Sequence, residues 1–107
     1  AGVRVTVSDL GGYSIPYLMA ADHPGNVVAS EVLTELYNTE PYQIYVGGSI
    51  PIVTHFKNYL SADTVNFGWT ALDENLHAPN EFFRLENFKR GQRGYCMVLH
   101  SLAGYGG

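Results

Sequence analysis

The chain has 107 residues, of which 46% are hydrophobic and 15% charged, enough for one folded domain and too few for a two-domain enzyme. Six basic against ten acidic side chains give a net charge of -4, which disfavours a general electrostatic hold on nucleic acid or anionic lipid, and no run approaches the roughly 18 apolar residues that cross a membrane. The one cysteine, Cys96, can close neither an intrachain disulfide nor a thiolate zinc site, so packing must hold the fold.

Val3, Val5 and Val7 alternate with Arg4, Thr6 and Ser8, a period of two that predicts an extended strand ended by Asp9 to Gly12. Ser14 to Gly25 contains Pro16, Pro24 and Gly25 among apolar residues and reads as a short strand or packed connection followed by a turn, with a subdomain boundary near residue 20. From Asn26 to Tyr37, Val28, Ala29, Val32, Leu33 and Leu36 recur at three- and four-residue spacing, which predicts an amphipathic helix. Tyr42 to Val46 is a β-prone run that ends at Gly47-Gly48. Ser49 can cap the next helix, Pro51 suits its first turn, Val53, Phe56 and Leu60 supply a buried stripe, and Ser61 to Asp63 closes it.

Thr64 to Gly68 is a second short β-prone run, and Trp69 to Glu81 fits neither period, so it reads as a long loop. A final helix runs to Ala103 with Phe88, Tyr95, Leu99 and Leu102 on one side, weakened by Gly91 and Gly94. This order of elements predicts an α/β fold, strands alternating with crossover helices.

Three places carry candidate chemistry. Gly47-Gly48-Ser49-Ile50-Pro51 stands where a strand hands over to a helix, so free amides there suit a carboxylate or an oxyanion; a tight turn with a serine cap is the plain alternative. His77 lies in a polar loop with Asp73, Glu74 and Glu81, where an imidazole and carboxylates can meet a metal, or simply face water. Arg84, Lys89, Arg90 and Arg93, interleaved with Phe82, Phe83, Phe88 and Tyr95, have the mixture of a nucleic-acid surface, but Glu81, Glu86 and the acidic total favour a solvated helix face. His23, His55 and His100 are read as turn, helix-surface and helix-end residues.

Taken in order, Asp22-His23-Pro24-Gly25-Asn26, Gly47-Gly48-Ser49-Ile50-Pro51 and His77-Ala78-Pro79-Asn80-Glu81, followed by Phe83-Arg84-Leu85 and Arg90-Gly91, resemble the dizinc metallopeptidases of the carnosinase, carboxypeptidase G and aminoacylase group, in its dipeptidase-like branch. The resemblance implies hydrolysis of dipeptides or related amides with two zinc ions, cobalt or manganese being able to replace them. It implies that residues 1–20 close the lid and dimerisation domain, and that residues 21–107 are the C-terminal part of the catalytic α/β domain. His77 matches a metal ligand, and Gly47, Gly48, Ser49 and Ile50 match a loop at the carboxylate end of the substrate. The family's other ligands and its general base lie upstream of the lid. Asp73 and Glu74 do not match its catalytic glutamates, and Tyr45 stands where relatives commonly carry an arginine. The chain is therefore expected to be inactive alone, with no stably bound metal. Its expected partner is the upstream half of a parent peptidase; the alternative is a self-assembling structural module derived from that fold.

Overall fold

A computed structural model describes residues 2–9, 11, 14–46 and 50–105. It contains three helices, α1 (Pro24–Tyr37), α2 (Pro51–Leu60) and α3 (Leu85–Ala103), joined by irregular segments. No strand occurs among the described residues, which overturns the predicted α/β fold.

The reason for the difference is the kind of hydrogen bond each element needs. A helix closes its ladder within itself, whereas a strand is held only by a neighbour, and even an isolated hairpin is marginal in water. The runs at 3–8, 42–46 and 64–68 have β-prone side chains but no ladder partner. Val3 and Val7 remain 90% and 91% exposed, and Tyr42 94%. Their alternation records a preference for a half-buried surface, which this chain does not build around them.

Helix α1 begins where Pro24 takes the first helical position and the His23 Nδ1 accepts a hydrogen bond from the Gly25 N–H at 3.1 Å. It ends at Asn38, whose φ of 51° places it in the left-handed region. Gly25, Val28, Ala29 and Val32 form its buried face. A β-carbon on Gly25 would come within 2.5 Å of Val65, so the glycine admits the segment that follows α2.

The N-cap of α2 is Ile50, which makes no side-chain capping bond; Ser49, expected to cap this helix, lies outside the described residues. Ser61 closes α2 with φ 54°, its N–H reaching the Lys57 carbonyl at 3.1 Å and the Ala62 N–H reaching Phe56 at 3.2 Å. That pair of bonds satisfies carbonyls otherwise left open at a helix end. Of the stripe expected on α2 only Val53 is buried, while Phe56 and Leu60 are exposed. Polar bonds anchor the helix instead. Thr54 Oγ1 donates to the Ile15 carbonyl at 2.9 Å, and Asp63 accepts from Lys57 at 2.7 Å and from the Tyr17 hydroxyl at 3.0 Å.

Helix α3 packs on α1, and the sequence stripe points the wrong way. Phe88, Tyr95 and Leu99 are exposed, whereas the two glycines expected to weaken the helix, Gly91 and Gly94, are its buried residues. They form a flat seat for Trp69, which is only 7% exposed. Around the indole stand Phe67, edge-on at 5.0 Å, Tyr95 at 6.3 Å, and Tyr37, nearly parallel at 6.3 Å. Such aromatic pairs add about 0.5–1.5 kcal/mol each beyond the area they bury. The core is thus Val28, Ala29, Val32, Val53 and Trp69.

This core is small for the chain. The radius of gyration is 18.1 Å, where a compact domain of this length would have about 13 Å. The accessible surface is 8994 Å², where a compact monomer of this size would expose about 5,900 Å².

Candidate functional site

The segment from Ala71 to Arg84 leaves Trp69 and returns to the start of α3, and it carries His77. A buried carboxylate holds its two ends together. Glu74 is 0% exposed. Its Oε2 accepts from the Ala71 N–H at 2.9 Å, and its Oε1 accepts from the Arg84 N–H at 3.0 Å, the Arg84 guanidinium at 3.3 Å and the Asn87 amide at 3.4 Å. Its own carbonyl accepts from the Phe82 N–H at 3.2 Å. Arg84 also forks onto both oxygens of Asp73, at 2.8 and 2.7 Å, and lies 5.0 Å from the centre of the Phe82 ring.

The electrostatics follow from this geometry. Burial pushes the Glu74 carboxyl up, but the backbone N–H groups of Ala71 and Arg84 and the Arg84 guanidinium outweigh it and hold the group below its ordinary range. Asp73 is lowered by its bonds to Arg84, and Arg84 is raised in return. The clamp is therefore charged at neutral pH, with each buried oxygen satisfied.

Between the clamped ends the chain makes tight turns. Asn75, His77 and Asn80 have φ of 54°, 59° and 61°, with Ala78 N–H bonded to the Asn75 carbonyl at 3.0 Å and Glu81 N–H to Ala78 at 3.3 Å. Asparagine tolerates the left-handed region; for histidine it costs about 1–2 kcal/mol. The structure thus exposes His77 on a loop whose backbone is held in an unfavourable conformation.

Gly47, Gly48 and Ser49 lie outside the described residues, and Ile50 is exposed at the start of α2. No group of three or more His, Cys, Asp or Glu side chains converges among the described residues. His77 supplies a single imidazole, so the described residues do not fit a two-metal centre. Two open concavities lie elsewhere, one along the outer face of α1 with Thr39 to Gln43, the other between residues 17–33 and the runs 41–46 and 64–67.

Two of the remaining histidines have local partners. His23 caps α1 and approaches Asp63 at 3.5 Å, His55 stacks on Tyr59 with centroids 5.7 Å apart, and His100 stands in the last turn of α3. The basic residues near α3 also face partners within the chain: Arg84 with Asp73 and Glu74, Lys89 with Glu86, Arg93 with Glu35, and Arg90 over the Tyr37 ring at 4.6 Å. Sequence reasoning missed the Glu74 clamp. The available signal was an adjacent Asp-Glu pair before a turn-rich stretch with an arginine ten residues beyond.

The chain is similar to the Cys-Gly metallodipeptidase dug1 of Schizosaccharomyces pombe, with 28% identity over 87 residues, covering 81% of this chain and 18% of that protein. It therefore spans less than a fifth of that relative's length. No family model matches the chain, and no solved structure matches it. The similarity supports a metallodipeptidase-like relationship.

Proposed function

We propose that this chain is the C-terminal segment of a dizinc metallopeptidase that hydrolyses dipeptides or related amides, and that it has no activity without the rest of that enzyme. The observation that carries the reading is the similarity to a metallodipeptidase across 81% of the chain, joined to the ordered motifs at 22–26, 47–51 and 77–81. In this reading residues 1–20 end the lid and residues 21–107 belong to the catalytic domain. His77 is one metal ligand, and Gly47 to Ile50 approach the anionic end of the substrate. The other ligands and the general base come from the upstream half, which is the partner that covers the exposed apolar surface. Zinc is the expected metal, with cobalt or manganese as substitutes.

The test is reconstitution. The chain is combined with an upstream catalytic half and zinc, cobalt or manganese, and Cys-Gly and acylated amino acids are offered as substrates. Hydrolysis by the pair, absent from either part, together with lower metal content in His77→Ala, supports the reading. No cleavage, with metal content unchanged in His77→Ala, refutes it.

A second reading is favoured by the exposure of Val3, Val5 and Val7 on one alternating run. Such a run is a template for pairing with another chain. Here the protein is a self-assembling, non-catalytic module derived from the peptidase fold. Native mass spectrometry with metal analysis separates the two. A complex with a larger chain and two metals favours the peptidase, and a metal-free homopolymer favours the module.

A further inference from the structure

We propose that Glu74 is the positioning residue of the His77 loop: its buried carboxylate ties Ala71 to Arg84 and thereby sets where the imidazole of His77 is presented. The inference rests on the reading of His77 as a ligand and extends it to a residue with no catalytic motif of its own. Glu74 lies three residues before His77 and cannot act on substrate from a site closed to solvent. Its acceptors are spent on both ends of the loop, through the Ala71 and Arg84 amides, while its carbonyl takes the Phe82 N–H. A loop that holds His77 at φ 59° relaxes toward ordinary backbone angles unless its ends are fixed, and the imidazole moves with it. Asp73 completes the device from outside by orienting the Arg84 guanidinium.

The first measurement is hydrogen exchange on the full chain without metal, comparing wild type with Glu74→Gln, which keeps the shape of the side chain and removes its charge. Exchange in the 75–81 segment is expected to accelerate by about tenfold or more while α1 and α2 stay within about twofold. The second is kinetics of the reconstituted peptidase. There Glu74→Gln lowers kcat by about 10- to 100-fold with KM within about twofold, because loss of a residue that orients a metal ligand costs about that much. If Glu74→Gln does not fold, Asp73→Asn removes only the outer partner of Arg84 and is expected to accelerate the same segment by about threefold. Unchanged exchange in the 75–81 segment in whichever variants fold overturns the proposal, as does an unchanged kcat where His77→Ala abolishes activity. If exchange accelerates but His77→Ala leaves metal content and hydrolysis unaltered, the role of Glu74 in holding the loop stands and the reading of His77 as a ligand fails.

Discussion

Replacing Gly94 by alanine sets two effects of known size against each other. In an exposed helix alanine is favoured over glycine by about 1 kcal/mol. At position 94 the added carbon would lie 2.2 and 2.4 Å from two ring atoms of Trp69 and 3.1 Å from Leu36, whereas carbon atoms pack best at about 3.5–4.0 Å. The indole cannot turn aside freely, since Gly91 backs its other edge and Phe67, Tyr37 and Tyr95 surround it. Overpacking of this kind costs about 1–3 kcal/mol, and each disrupted aromatic pair adds about 0.5–1.5. The clash wins, and net destabilisation of about 1–3 kcal/mol lowers the melting temperature by about 5–20 °C. The single tryptophan is the reporter, so thermal unfolding followed by its fluorescence reads the seat directly. Gly68→Ala is the control, since nothing stands within 4 Å of its added carbon; it is expected to stabilise by about 0.4–1 kcal/mol. A Gly94→Ala protein at least as stable as wild type, with unshifted Trp69 emission, would show that α3 does not dock through its glycines.

Four further outcomes follow from the same contacts. Trp69→Ala removes the centre of the core and costs about 3–5 kcal/mol, read as loss of cooperative unfolding in circular dichroism. Ser61→Gly relieves the φ of 54° at the end of α2 and raises stability by about 0.5–1 kcal/mol in denaturant titration. For pH, Asp73 and Glu74 are both depressed from 3.8 and 4.5, so their contribution is complete above those values and is lost as pH falls through the lower folded-state values; exchange in the 71–84 loop should rise only below about pH 4, and Glu74→Gln should show fast exchange already at pH 7. Under the module reading, sedimentation of the chain alone shows mass above the monomer that grows with concentration, and a monomer at high micromolar concentration argues against that reading.

How legible the fold was depended on where each element finds its hydrogen bonds. Helices α1 and α2 were readable because proline at the start, a left-handed residue at the end and apolar spacing all lie within or beside the segment itself; α3 starts without proline and ends at Gly104 in the right-handed region, so its spacing marked a helix without marking its ends. The strands were misread because alternation in Val3, Val5 and Val7 specifies a face without specifying a partner. The face of α3 was misread for another reason: hydrophobic periodicity assumes that large side chains do the packing, and here Gly91 and Gly94 pack by their absence of side chain against Trp69. At the candidate site, His77 was visible as an imidazole in a polar loop. Glu74 was not, since a carboxylate in such a sequence predicts exposure, and its burial depends on an arginine ten residues away and two backbone amides.

The two kinds of order in this chain bear differently on function. The loop from Ala71 to Arg84 is internally complete, its buried charge satisfied and its turns closed by local bonds. The surface beyond it is not, with about half again the exposed area of a compact monomer. The excess, roughly 3,000 Å², exceeds the ~800 Å² that one partner contributes to an ordinary specific interface and also the ~1,000–2,500 Å² per partner of most permanent assemblies. The apolar runs at 3–8 and 42–46 are part of that exposed surface, whereas the bonds of the Glu74 clamp are all made within residues 71–87. In the peptidase reading proposed above, His77 meets that partner on a loop already held by the Glu74 clamp, so assembly adds ligands without having to reshape the loop.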